Sequence, residues 1–242
     1  MPVAHRSLVL LFVAAGTWAC GSAPAAAPPA RTPASAAPVE EAAPSKREMA
    51  TTAEIGGLNE REAAQSFRDS MNGLEACIRD GVERLDFIGG SIEFAVKVDS
   101  SRHATRVWAA QSSLGERSTE KCMFDVLRSA TWPAPQGGTF GIARNAFDFE
   151  PHKGASPLAV WDAGRVASVL SRLDDRLTHC RGDAPSHLLI TLYIGPGGKA
   201  LSGGAASEDP IDDEAVDCVV DTLLDANYPA PEHTPTKVRF QL

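Results

Sequence analysis

The chain has 242 residues, a net charge of −8 and 43% apolar residues, enough for one or two packed domains and no large assembly of them. The acidic balance and an aromatic content of 6% exclude, in bulk, the basic or base-stacking surfaces that nucleic-acid binding requires. Five cysteines in a chain of this length call for a covalent or ligating role.

The N-terminus reads as an address. His5 and Arg6 precede an apolar stretch from Leu8 to Ala19, followed by Cys20 and Gly21. A basic start, a short apolar run and small residues after it make a secretory signal over residues 1–19. The stretch is 12 residues long, short of the roughly 20 that a membrane-spanning helix needs. Two cleavage points compete. Small Ala19 and Gly21 around Cys20 resemble a bacterial lipobox, which implies cleavage before Cys20 and its lipidation, although Thr17 and Trp18 depart from the usual pair. A cut after Ala25, following Ala23-Pro24, removes Cys20 instead. Either way four cysteines remain, and the protein is expected in an oxidising, exported compartment: the periplasm, held to the outer membrane when Cys20 carries lipid. Residues 23–44 contain ten Ala and six Pro. Proline removes backbone donors and alanine buries little surface, so a disordered tether is expected over residues 20–58.

The remainder repeats itself. Cys122 and Cys218 are each followed at the same spacing by Pro-Ala-Pro, at 133–135 and 229–231, an offset of 96. At that offset Ala104, Ala109, Ala110, Asp125, Leu127 and Ala130 find identical partners, and Trp132 aligns with Tyr228. Upstream, Leu74-x-x-Cys77 matches Leu177-x-x-Cys180, displaced by 103. The chain therefore divides into units 59–150 and 163–242, with Pro151–Asp162 as connector.

Each unit predicts the same string. In the first, Phe67, Met71, Leu74 and Ile78 fall on one helical face, with Asn59 and Glu62 as a capping box and Gly81 near the end. Alternating Ile92, Phe94, Val96 and Val98, a polar turn at 99–103 and Val107 predict a hairpin. A second helix is expected from an N-cap at Ser113, with Thr119, Cys122, Met123, Val126 and Leu127 inward and Pro133 ending it. Phe140–Phe149 closes the unit. The second unit offers Val166 to Cys180 stopped by Gly182, a hairpin of Leu188–Ile194 turning at Gly195-Pro196-Gly197-Gly198, and a helix capped by Asp209 with Pro210 as its first residue. That helix is stopped by Pro229, and a strand at Lys237–Leu242 follows. The expected fold is α+β: two tandem α-β-β-α-β units, each a three-stranded antiparallel sheet with two helices on one face.

One cysteine ends the first helix of each unit and one sits midway along the second, both on faces that pack on the same sheet. Neighbouring helices lie about 8–10 Å apart, within reach of a disulfide. Four cysteines allow three pairings. Repetition favours Cys77–Cys122 and Cys180–Cys218, as structural staples for units too small to be stable alone.

The string Cys, hairpin, Cys-x10-Pro-Ala-Pro, closing strand resembles the AgmX/PglI C-terminal domain family, itself similar in shape to the TonB C-terminal domain. Trp132-Pro133 and Tyr228-Pro229 carry the aromatic-proline step of that family, and Gly137-Gly138 follows it in the first unit, where the second has Glu232-His233. The resemblance implies a periplasmic module of envelope proteins without chemistry of its own. A lipoprotein-type signal in place of a membrane helix argues against force transduction.

Other motifs have ordinary explanations. Gly195–Lys199 lacks the first glycine and the Ser/Thr of a phosphate loop and reads as a turn. Glu208, Asp209, Asp212, Asp213, Glu214 and Asp217 lack calcium-loop spacing and read as solvated acids at a helix N-terminus. His179 and His187 flank Cys180 without metal spacing, and Arg181-Gly182-Asp183 reads as a helix end. No catalytic residue, metal ligand or cofactor is nominated. The expected role is a non-enzymatic protein- or peptide-binding module. Its partner would be an envelope protein or peptide, added as a strand at Gly141–Phe149 or Lys237–Leu242. The alternative is a structural spacer with no specific ligand; a hydrolase or metal-binding protein ranks third, since no residues stand out for either.

Overall fold

The structure, a computed structural model, describes residues 55–182 and 187–242. Cys20, both cleavage points and the Ala/Pro-rich stretch lie outside the described residues.

Helix α1 (Glu60–Arg84) begins where expected, because the Asn59 side chain accepts the N–H groups of Arg61 and Glu62. It runs one turn past Gly81, whose missing side chain gives room to Thr119. Strands β1 (Gly90–Asp99) and β2 (Ala104–Ser112) form the first hairpin, α2 (Arg117–Ser129) follows, and β3 (Phe140–Phe149) returns beside β1. The inward set Ile92, Phe94, Val96 and Val98 packs under Phe67, Leu74, Met123, Phe124 and Leu127, so both helices cover one face of a sheet ordered β2-β1-β3. The second half repeats the order. After β4 (Ala159–Trp161) and a single 3₁₀ turn come α3 (Ala167–Arg181), β5 (Leu189–Ile194), β6 (Ala200–Ala206), α4 (Asp213–Leu224) and β7 (Thr236–Gln241). Leu188, Ile190, Leu192 and Ile194 meet Val169, Leu177, Val219 and Leu223 in a separate core.

Three expectations need correction. The second sheet has four strands, β4-β7-β5-β6, and is mixed, since β4 runs parallel to β7. The connector thus supplies a strand; three residues are too few for alternation to show. The same device begins in the first half, where Ile55 bridges Phe140 in parallel.

The second helices also start later than expected. Ser113 Oγ is engaged by the Ser91 N–H at 2.9 Å, and Glu116 caps α2 by accepting Thr119 N–H at 2.7 Å. In α4 the N-cap is Asp212, without a capping bond; its carboxylate is paired with Arg106 instead.

Finally, both helices end before Pro133 and Pro229 are reached. Their last turns are tied by aromatic side chains. The Trp132 indole N–H donates to the Leu127 carbonyl at 3.0 Å, and the Tyr228 hydroxyl donates to the Leu223 carbonyl at 2.8 Å. Buried carbonyls at a helix end need such donors.

The disulfides are Cys77–Cys122 and Cys180–Cys218, with Cα separations of 5.8 and 5.3 Å. They close loops of 45 and 38 residues, each constraining the unfolded chain by about 4 kcal/mol in the loop-entropy account. Replacing either pair by alanine is expected to lower unfolding stability by about 2–4 kcal/mol in denaturant titration. Peptide mapping under non-reducing conditions is expected to return these two pairs alone.

Candidate functional site

The strongest electrostatics lie where the two halves meet. β2 and β6, each at the rim of its sheet, face one another. Ser207 N–H donates to the Ala109 carbonyl at 2.9 Å, Ser202 Oγ–H to the Gly115 carbonyl at 2.9 Å and Thr191 Oγ1–H to the Ser112 carbonyl at 3.2 Å. Above these bonds runs a line of ion pairs. Arg117, 10% exposed in its side chain, donates from Nη2 to Asp213 at 2.8 Å and from Nε to Asp217 at 2.7 Å. Lys121 joins Asp217 at 2.7 Å, Arg128 joins Asp213 at 2.7 Å, Arg106 joins Asp212, and Arg144 joins Glu208 at 3.0 Å. The acidic run is therefore not merely solvated. Four of its six members are held by bases of the first half. Burial pushes the Asp213 and Asp217 carboxyls up, but hydrogen bonds and charge from Arg117, Arg128 and Lys121 outweigh it and hold both below the usual carboxylate range.

Glu120 lies beneath this line, wholly buried. Its desolvated carboxyl is pushed up to about 7, with the Ser112 hydroxyl donating to Oε1 at 2.6 Å and Arg117 offsetting only part of the burial. Among the described residues Oε2 has no hydrogen-bond partner, nor does the buried Tyr193 hydroxyl. Burial and then the Glu120 charge raise the pKa of Tyr193. Gly204 packs on the carboxyl: a Cβ there would lie 2.7 Å from both oxygens. On the other side Gly115, at φ +67°, turns the chain where a Cβ would strike Thr191 and Tyr193. Perturbed acid–phenol groups often mark catalysis. These two are 0% exposed and belong to the seam.

The other sequence candidates fall apart as sites. Cys180 is bridged to Cys218, and Gly195–Lys199 is a hairpin turn closed by Gly195 N–H to the Lys199 carbonyl at 2.8 Å. Arg181 and Gly182 end α3, and Asp183 lies outside the described residues. Among the described residues no cluster of three His, Cys, Asp or Glu is placed to hold a metal, and no helix is long and apolar enough to cross a membrane. The seam bases Arg106, Arg117, Lys121 and Arg128 were not singled out by sequence. For two of them the signal is a charge reversal at the repeat offset, Arg117 aligning with Asp213 and Lys121 with Asp217; Arg106 and Arg128 align with Ser202 and Leu224 and show none.

What is left is a sheet edge. β2 and β6 close on each other. β7, expected as an open closing strand at Lys237–Leu242, is covered by β4, itself only three residues long. β3 is different. It pairs with β1 in unbroken register over ten residues, and among the described residues its outer side meets another strand only at the Ile55–Phe140 bridge. The Phe140 carbonyl accepts from Gly56 N–H on that outer side. By the two-residue alternation of a strand, the N–H and C=O groups of Ile142, Arg144, Ala146 and Asp148 also point outward. Beside this edge a cleft of about 560 Å³ opens between β3 and the first turns of α1. Leu58, Ala63, Ala64, Phe67 and Ala143 make its apolar wall, and Arg144, Asn145 and Glu60 its polar rim. The small residues of the first turns of α1 create the space.

Compared with known proteins, the chain matches no family model, no curated protein and no solved structure.

The seam yields a pH test. A Glu120 carboxyl with a folded pKa above its unfolded value of about 4.5 binds more protons folded than unfolded. Its contribution is intact below about pH 4.5, and is lost as pH rises through about 7. Glu120→Gln is expected to remove that slope, so that the variant gains up to about 3 kcal/mol over the native chain between pH 5 and 8 in denaturant unfolding. Below pH 4 both proteins lose stability, as Asp213 and Asp217, whose pKa values are lowered by folding, become protonated.

Proposed function

We propose that the protein is an exported, non-enzymatic binding module that takes an extended segment of an envelope protein as an added strand on β3. The observation that carries this reading is the state of the sheet edges. Two close on each other, the third is a three-residue strand, and β3 keeps a long, regular edge with an apolar cleft beside it. An incoming strand would satisfy the outward N–H and C=O groups of residues 142–148, while alternate side chains enter the cleft.

The rest of the reading fits that role. The signal and the Ala/Pro-rich stretch fit a folded body standing off a lipid-bearing Cys20 at the outer membrane, and the two disulfides fit an oxidising compartment. The recurrence of helix, hairpin, helix and strand at an offset of 96, with the aromatic-capped second helix in both halves, supports two tandem copies of an AgmX/PglI-type, TonB C-terminal-like unit. The seam and the two staples also suit a spacer, which would need a stiff body and no partner at β3.

Two measurements test this. A photo-crosslinking residue at Ala146 is expected to join an envelope protein in the native host. The same residue at Val160, on the short edge, is expected to give none. Adducts equal at both positions, or absent at both, support the spacer. Metabolic labelling with a fatty acid is expected to mark the native chain and not Cys20→Ala; a chain beginning at Ala26 removes the anchor.

A further inference from the structure

We infer that the β3 edge pairs with the β3 edge of a second copy, antiparallel and centred on Ala146, so that two first-half sheets join into one. The inference rests on the strand-addition reading of the edge and names a partner that is always present.

Two independent features give the same register. The first is the length of free edge. At one end Ile55 and Gly56 occupy Phe140; at the other, Pro151 has no N–H to donate. The stretch between these stops runs from Ile142 to Glu150, and its middle residue is Ala146. The second feature is charge. Rotation about Ala146 sets Arg144 of each copy opposite Asp148 of the other, on the exposed face of the sheet. Centring on Arg144 would instead oppose two arginines, and centring on Asn145 would leave Arg144 against alanine. Opposed charges directly across strands stabilise, and like charges do the reverse. Because Ile142, Arg144, Ala146 and Asp148 turn their backbone groups outward, the pairs 146–146, 144–148 and 148–144 are hydrogen-bonded pairs of an antiparallel ladder. On the other face the half-buried Phe147 and Phe149 meet Asn145 and Ala143 of the second copy, which covers aromatic surface. β3 has no proline, no lysine and no bulge in its pairing with β1, and its two charged residues, Arg144 and Asp148, are of opposite sign. Arg144 already reaches Glu93 at 3.3 Å and Glu208 at 3.0 Å from Nη1, so its guanidinium is held on the sheet face rather than free in solvent. A foreign strand and a second copy compete for one edge, and the self-pair is the resting state from which a partner must displace it.

Sedimentation velocity of the full chain across concentration tests this, with amide hydrogen exchange as second readout. The expected result is a reversible dimer, with the amides of Ile142, Arg144, Ala146 and Asp148 gaining protection as it forms. Arg144→Asp and Asp148→Arg are each expected to weaken it about tenfold, and the double exchange R144D/D148R to restore it to within about threefold. Ala146→Pro is expected to be monomeric. A native chain monomeric to about 100 μM overturns the inference, as does a dimer indifferent to Ala146→Pro or one that the double exchange does not rescue. The strand-addition reading fails separately, if Ala146→Pro, with the photo-crosslinking residue placed at Ile142 instead, still joins an envelope protein in the native host. A monomer whose crosslink is lost in Ala146→Pro sinks only the second copy.

Discussion

Arg117 is the constraint around which the molecule is arranged. It stands nearly buried between Asp213 and Asp217, and a guanidinium in that position is tolerated only while both carboxylates remain. Fixing it fixes α2 against α4, and with them the rims of the two sheets. The serine and threonine bonds below complete the closure, and the tyrosine–phenylalanine contact of Tyr193 with Phe87, 5.3 Å between ring centres, carries it to the loop after α1. Lys237 extends it further, reaching from β7 to the Gly89 carbonyl at 3.0 Å; burial lowers its ammonium pKa to about 8. A chain of two small halves becomes one body through this seam and a small shared cluster of Leu85, Phe87, Ile88 and Tyr193, while the principal cores of the two halves are separate.

The seam also explains where the halves differ. Positions 117 and 213, and again 121 and 217, are equivalent at the repeat offset and are in contact. Identical residues at such positions would set like charge against like. Arginine and lysine in one half and aspartates in the other turn that repulsion into attraction. Glu120 breaks the pattern. Its equivalent is Val216, which simply packs in the second core, whereas Glu120 is buried against Gly204 with one oxygen unpartnered among the described residues. A buried carboxyl whose pKa is raised by desolvation makes the stability of the junction depend on pH.

Much of the architecture was legible in the sequence, and the parts that were not share a cause. The hairpins, the helix stripes, the β3 limits and the two disulfides came from periodicity and from self-comparison, which report local burial. β4 was missed because three residues carry no period. The true N-caps were missed because Ser113 and Asp209 obey the local rule, while Glu116 reaches Thr119 and Asp212 is drawn to Arg106, a choice made by the tertiary neighbour. The acidic run was read as solvated for the same reason: composition shows charge, but not which base lies opposite. A β3 edge was anticipated and an equivalent β7 edge was wrongly anticipated beside it, because nothing in the connector announced that it would lie there.

That asymmetry bears most directly on function. Both halves send the segment ahead of their first helix alongside their closing strand. In the second half it forms β4 and pairs Ala159–Trp161 with Thr236–Val238. In the first half it makes one bridge at Phe140 and then turns away, because Gly57 pairs with Gln136 and Gly56 sits where any side chain would strike that loop. Gly138 allows this close approach and Gly137, at φ +78°, turns the loop; the second half has His233 and Thr234 at the corresponding place and, among the described residues, no such contact. Gly56 and Gly138 thus divert the segment from β3, and the backbone groups that β7 satisfies through β4 meet, on β3 beyond Phe140, no strand among the described residues.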